Sequence, residues 1–299
     1  MKKIILILSL LSVFIFSCSS GENNTNTNKE GSITVGLSVS TLNNPFFVTL
    51  SEGAKAKAEE LNINLSVVNA SDDTAKQASD IEDLISKNVQ VIIVNPVDSD
   101  AVAPAVESAI AANIPVIALD RIVNGVEVTT QISSDNVAGA KMAGEYLIEL
   151  VGENSKVAEL IGIPGASATI DRGKGFHEAT DNKLNIVVSQ TANFNRAEGL
   201  TVMENILQAN PDIKGVFAHN DEMALGALEA IQAAGKDISI VGFDATDDAV
   251  LAIKEGSMKA TVAQKPDLMG AIAVETALKI INGETVEKSI PVEVSLINQ

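Results

Sequence analysis

Val91-Ile92-Ile93-Val94 is an unbroken apolar block with no polar residue at alternate positions. A strand with one wet face would alternate, so this run belongs to a parallel strand covered on both sides. Parallel neighbours need crossover connections, usually helices, and the chain supplies them throughout. Candidate strands at 32–39, 64–70, 89–95, 115–120 and 127–133 alternate with helix-patterned segments at 46–61, 74–87 and 99–112. In the second helix Ile81, Leu84 and Ile85 fall three and four apart on one face. The pattern then restarts. A helix at 137–151 leads to strands at 156–162, 185–191, 215–219, 238–243 and 259–263, separated by helices at 168–181, 196–209, 221–234 and 246–255. A last helix, 267–281, stops at Asn282-Gly283, and one more strand is predicted at 292–297. Strict alternation predicts an α/β fold with doubly wound parallel sheets. Two successive series, each long enough for its own sheet, predict two similar lobes.

The N-terminus is of another kind. Met1-Lys2-Lys3 precedes an apolar run over 4–16, too short to span a membrane comfortably and shaped like a secretory signal at 1–17. The single cysteine, Cys18, follows directly in Ser17-Cys18-Ser19 and resembles a bacterial lipoprotein cleavage and acylation site. Residues 18–30, polar and low in complexity, read as a flexible tether. These features predict a periplasmic or cell-surface protein, lipid-anchored to a bacterial membrane through Cys18. One cysteine excludes an internal disulfide.

Formal net charge is −18, and −20 once residues 1–17, with Lys2 and Lys3 and no acid, are removed. Such a surface repels nucleic acid and anionic lipid, so neither is an expected partner. Enzyme signatures are missing too. The chain has two histidines, His177 and His219, and no H-E-x-x-H, phosphate-loop lysine motif, G-x-G-x-x-G after a strand or G-x-S-x-G. No catalytic residue, cofactor or metal is therefore predicted.

Ligands of open α/β sheets bind beyond the carboxyl ends of the strands, so the residues there carry the functional signal. Those ends present Asn95, Asp120-Arg121, Ser133-Ser134-Asp135, Asn220, Asp244 and Gln264. The segment Ser40-Thr41-Leu42-Asn43-Asn44-Pro45-Phe46-Phe47 follows the first strand. Of six phenylalanines past the signal, Phe46, Phe47, Phe194 and Phe243 lie at strand ends or loops. Each residue has a structural reading as well. Asn95, Ser134 and Asn220 suit helix N-caps, Asp244 could cap the helix near Thr246, Asp120-Arg121 could pair locally, and both rings of 46–47 could be core. Together they suit a neutral polyhydroxylated ligand: carboxylates accept hydroxyl protons, guanidinium donates in a fork, and rings cover C–H faces.

At these residues the chain resembles the bacterial ribose-binding proteins, periplasmic receptors of sugar ABC importers. The motifs are STLNNPFF at 40–47, NPVDSDAV at 95–102, IPVIALDR at 114–121, SDNVAGAKMAG at 134–144, HNDEMALGAL at 219–228 and VGFD at 241–244. The resemblance implies sugar contacts from Ser40, Asn44, Phe46, Phe47, Asn95, Asp120, Arg121 and Ser134 on one side. Arg172, Phe194, Asn220, Phe243, Asp244 and Gln264 supply the other. It departs at His219, where glutamine is common, at Ala245 and at Ile170-Asp171. It implies a periplasmic binding protein type 1 fold whose N-terminal lobe comprises 31–134 plus 265–292 and whose C-terminal lobe comprises 135–264 plus 293–299. A three-segment hinge joins them near Ser134, Gln264-Lys265 and Pro291. The implied protein is a monomer that closes on D-ribose and delivers it to an ABC permease, with a chemoreceptor as a further candidate partner. Allose, galactose, xylose or a furanosyl signal molecule are the alternative ligands, and a sugar sensor without a transport role is the alternative function.

Overall fold

A computed structural model describes residues 33–298; the expected signal, Cys18 and tether lie outside the described residues. The first half builds β1 (Thr34–Val39), α1 (Pro45–Glu60), β2 (Asn64–Asn69), α2 (Thr74–Ser86), β3 (Val91–Val94), α3 (Ala103–Ala111), β4 (Val116–Leu119) and β5 (Thr130–Ser134). The second builds α4 (Asn136–Val151), β6 (Lys156–Ile161), α5 (Ser167–Thr180), β7 (Asn185–Thr191), α6 (Arg196–Ala209), β8 (Gly215–Ala218), α7 (Asp221–Ala233), β9 (Ser239–Asp244), α8 (Asp247–Lys254) and β10 (Ala260–Ala263). Then come α9 (Pro266–Ile281), β11 (Ser289–Val292) and β12 (Ser295–Asn298).

Two six-stranded sheets result, ordered β11-β5-β4-β3-β1-β2 and β12-β10-β9-β8-β6-β7. They share one strand order, reversing at β1 and at β6. The block that opened the sequence argument sits in the middle of the first sheet. All four residues of β3 are fully buried, Val91 and Ile93 in the cluster under α1 and α9, Ile92 and Val94 in the cluster under α2 and α3. Helices on both faces explain the missing alternation. In the second sheet Phe217 of β8 turns to one face with Phe176 and Phe243, while Val216 and Ala218 turn to the other.

Two expectations need correction. The predicted strand at 292–297 is two strands. β11 pairs parallel with β5 in the first sheet, and β12 pairs antiparallel with β10 in the second. Ile290, Val292, Val294 and Leu296 form one continuous alternation that does not record the change of sheet. The second sheet is therefore mixed at its edge and not wholly parallel. Helix α3 also starts at Ala103, not Ser99: Ser99 O accepts the Asn124 amide and the Ala103 amide goes to Asp100 O, so residues 99–102 form turns, with Asp98 Oδ1 accepting the amides of Asp100 and Ala101 (2.9 and 2.8 Å). The chain passes between the sheets three times: from β5 to α4, from β10 to α9, and from β11 to β12.

Candidate functional site

The carboxyl ends of the two sheets meet at a tight pocket with about 10 Å³ of free space. Asn44, Phe46, Phe47, Asp120 and Arg121 line it from the first sheet, and Arg172, Phe194, Asn220, Asp244 and Gln264 from the second, with Ala168 beside them. Ten of the fourteen expected contacts thus converge on one space. The other four stand behind it. Asn95 Oδ1 accepts the Ser40 amide (3.1 Å), and its Nδ2 donates to Asp120 Oδ2 and to Leu119 O (both 3.2 Å), so Asn95 orients Asp120 and caps no helix. Ser134 Oγ lies 3.8 Å from Met269 Sδ, and Asp135, not Ser134, caps α4. Phe243 is fully buried beneath the Arg172 guanidinium, 3.9 Å from carbon to ring centroid. Two larger clefts of about 300 Å³ each share lining residues with it, and Glu222 borders both.

Local sequence explains how each wall is presented. Asn44 Oδ1 accepts the Phe46 amide at the start of α1, and Pro45 needs no hydrogen-bond partner there. This fixes the first turn with both rings at the pocket, edge to face at 5.1 Å. Phe46 and Phe47 are also members of the core, so the same two rings pack under the helix and line the pocket. Asn220 caps α7 by accepting the Met223 amide at 3.0 Å while still lining the pocket. Asp120, Phe194 and Asp244 have φ of 65°, 59° and 121°, a region that side-chain-bearing residues rarely occupy. Three pocket residues in strained backbone indicate side chains aimed by their tertiary surroundings, at a cost of order 1–3 kcal/mol each.

Guanidinium and aromatic planes alternate through the site. Arg121 lies 5.2 Å from the Phe47 ring and 5.4 Å from Phe194; Arg172 lies 5.9 Å from Phe194 and 3.9 Å from Phe243. Phe194 thus bridges a cation from each sheet unit, its ring packed so closely on Gly162 that a Cβ there would overlap it. Hydrogen bonds fix both cations. Arg121 Nη1 donates to Pro96 O at 2.8 Å; Arg172 donates from Nε to Asn136 Oδ1 (2.8 Å) and from Nη1 to His219 O (2.6 Å). The carboxylates stand off slightly: Asp120 Oδ2 is 3.8 Å from Arg121 Nε, and Asp244 Oδ1 is 3.7 Å from Arg172 Nη1 while accepting Gln264 Nε2 at 2.8 Å.

Burial dominates the electrostatics. It pushes Asp120 and Asp244 above the usual carboxylate range, and the adjacent guanidiniums pull each back. Burial likewise lowers Arg121 and Arg172, opposed chiefly by Asp120 and Asp244 respectively. Two cations and two carboxyls balance within one buried cluster, which suits a neutral ligand. Asp120 Oδ1, Arg121 Nε and Gln264 Oε1 are buried with no hydrogen-bond partner among the described residues. An acceptor, a donor and a second acceptor are therefore available beside aromatic faces, the complement of a small polyol ring.

Some contributors were not among the expected contacts. Asn136 holds Arg172, and buried Gln77 binds Ser38 Oγ (3.2 Å), Asn95 O (2.9 Å) and the Val97 amide (2.8 Å). Gln77 did leave a trace, as a polar residue on the Ile81–Leu84 face of its helix. Behind Arg172, His219 Nε2 meets Glu159 Oε1 at 2.9 Å, and Glu159 Oε2 accepts Ser189 Oγ at 2.6 Å. Burial would raise Glu159, but the bond to His219 and its neighbours leaves it below the usual range; burial lowers His219.

The geometry agrees with comparisons to known proteins. The periplasmic binding protein domain profile matches residues 35–285. The ribose import binding protein RbsB of Bacillus subtilis is 48% identical over 304 aligned residues, with all of both chains covered. That of Escherichia coli is 50% identical over 266, covering 88% of this chain and 90% of that one. An ABC transporter periplasmic solute binding protein from Actinobacillus succinogenes, solved with bound D-allose, superposes with a TM-score of 0.84 at 35% identity, covering 89% and 98%. One from Bacillus halodurans with bound myo-inositol gives 0.86 at 33%, covering 91% and 96%. A doubled parallel-sheet fold, a polar pocket between its halves and close relatives along the whole length together place this chain in the periplasmic binding protein family.

Proposed function

We propose that the protein captures D-ribose between its two sheet units outside the cytoplasm and passes it to an ABC permease, without catalysing a reaction. The observation that carries this reading is the pocket between the two sheets, where Asp120 Oδ1, Arg121 Nε and Gln264 Oε1, buried and unpartnered among the described residues, stand beside Phe46, Phe47 and Phe194. Hydroxyls satisfy such atoms, and the three aromatic rings beside them suit the C–H faces of a single sugar ring. Asp120, Arg121, Asn44 and the paired rings act from one unit and Arg172, Phe194, Asn220, Asp244 and Gln264 from the other, with Ser40, Asn95, Ser134 and Phe243 supporting them. Contacts from both units exist together only when the cleft is closed, so the ligand shifts the equilibrium toward closure. The three chain crossings serve as the hinge. A secretory signal, acylation of Cys18 and the polar tether would hold a monomer at the membrane within reach of its permease or a chemoreceptor.

A second reading keeps everything but the sugar, because an allose-bound relative of known structure shares the fold at 35% identity. Thermal unfolding with D-ribose, D-allose, D-galactose, D-xylose and L-arabinose separates the two, since a ligand of the native state raises the midpoint by mass action. The largest shift is expected with D-ribose. No shift with D-ribose and a clear one with another sugar would replace the ligand and leave the receptor function standing. Cys18→Ser is expected to release the protein from the membrane fraction; retention would reject the anchor.

A further inference from the structure

Away from the pocket, the turn before α3 touches the turn before α5, joining one sheet unit to the other. The Ser99 amide donates to Gly165 O at 3.0 Å, and the Ser167 amide donates to Ser99 Oγ at 3.2 Å. The Ile122 amide donates to Ser167 Oγ at 3.0 Å. All three bonds cross between the units, and both serines are buried. On the first-sheet side the turn is braced independently. Asn124 donates its amide to Ser99 O and its Nδ2 to Asp100 Oδ1 (both 2.8 Å), and Asp98 Oδ1 holds the amides of Asp100 and Ala101. Asp98 therefore cannot swing aside freely. It faces Gly165 so closely that a Cβ built on Gly165 would overlap its carboxylate.

We propose that Ser99 and Ser167, fitted through the bare Gly165 against Asp98, form a clasp that sets ligand affinity although none of the four lines the pocket. The inference rests on the reading that the two units open and close around a sugar. Apparent affinity falls in proportion to the fraction of molecules able to close, so any bond made only in the closed form acts on it. Each hydrogen bond of the clasp is worth about a two- to tenfold change in that equilibrium. The bonds form after the sugar has entered, so their loss is expected in the dissociation rate, with association little changed. Gly165 is the sharpest probe. Alanine is compatible with its backbone, and the added methyl meets only the opposite unit among close neighbours.

The test is a double-mutant cycle between Gly165→Ala and Asp98→Ala in the full chain, read by calorimetry and stopped-flow binding of D-ribose. Gly165→Ala is expected to weaken binding at least tenfold through faster dissociation, with the ligand-free melting temperature unchanged. In the Asp98→Ala background, where no carboxylate opposes the methyl, the same change should cost less than threefold. Ser99→Ala should weaken binding about two- to tenfold. Equal losses from Gly165→Ala in both backgrounds, or affinity within twofold of the parent, would overturn the clasp. A parent protein that ignores D-ribose but is stabilised by another sugar of the panel refutes the ribose reading alone, and the cycle is then read with that sugar.

Discussion

Asp120→Asn separates the charge of the pocket from its shape. Asp120 sits at φ 65°, where asparagine is among the best-tolerated replacements, so the backbone should keep its course. Asn95 Nδ2 holds Oδ2 at 3.2 Å, leaving Oδ1 as the oxygen free for a ligand hydroxyl. A hydrogen bond to a charged acceptor contributes about 1.5–3 kcal/mol and a neutral one about 0.5–1.5. Asparagine has a single side-chain oxygen; kept on Asn95 Nδ2, it turns an NH2 toward the ligand, so the charged bond itself is lost, about 1.5–3 kcal/mol or roughly 10- to 150-fold in Kd. Arg121 and Arg172 would keep one carboxyl partner between them, so ligand-free stability should fall as well, though by less than in Asp120→Ala, which also loses the bond to Asn95 and puts alanine in a left-handed conformation. We predict from titration calorimetry with D-ribose and thermal unfolding without it that Asn lowers affinity more than stability and Ala lowers both. Unchanged affinity and binding enthalpy in Asp120→Asn would refute the role of this carboxylate as a ligand acceptor. A stability loss as large as the affinity loss would show that its work is to neutralise the two arginines.

Arg172→Ala should abolish measurable binding and also destabilise the ligand-free protein by about 3–5 kcal/mol, because it strands buried Asp244, Asn136 Oδ1 and His219 O; urea unfolding reads this directly. Gly162→Ala should push the Phe194 ring from its place between Arg121 and Arg172, an overpacking cost of about 1–3 kcal/mol that calorimetry should find mostly in ligand affinity. Asp221 gives a pH dependence. Burial outweighs its bonds from Thr261 Oγ1 and Thr246 and pushes it up to about 7 from 3.8, so in that window the folded chain holds a proton the unfolded chain has lost. Its contribution to stability is complete below 3.8, fades as pH rises, and is gone above about 7. Thermal unfolding in 0.5 M salt should show the difference in midpoint between pH 6 and pH 8 shrinking in Asp221→Asn, and an unchanged difference would reject the assignment.

The architecture was readable because Val91–Val94 and its counterparts obey a rule set by sheet burial alone. Pro45 after Asn44 likewise announced a helix start by local chemistry. What escaped depends on distant parts of the chain. Nothing near Phe194 marks it for positive φ; the Gly162 backbone and two arginines from other segments hold it there. Asn95, Ser134 and Asn220 have the same local signature as helix caps, yet only Asn220 is one, because only tertiary neighbours decide where a buried amide turns. Ser99 looked like the first turn of a helix because its partner, the 165–167 segment, lies far along the sequence.

The last two strands bear on the order of synthesis. β11 completes the edge of the first sheet beside β5, and β12 completes the second beside β10, while α9 covers the first sheet's core next to α1. The first unit therefore lacks a covering helix and an edge until nearly the whole chain has been made. It cannot finish folding while the second unit is emerging, whatever the local strength of its own strands. For the extracytoplasmic role proposed above this is an advantage: the leading half stays threadable until its tail arrives. The same wiring concentrates risk at the tail, where removing the final dozen residues would strip the edge strand from both sheets together.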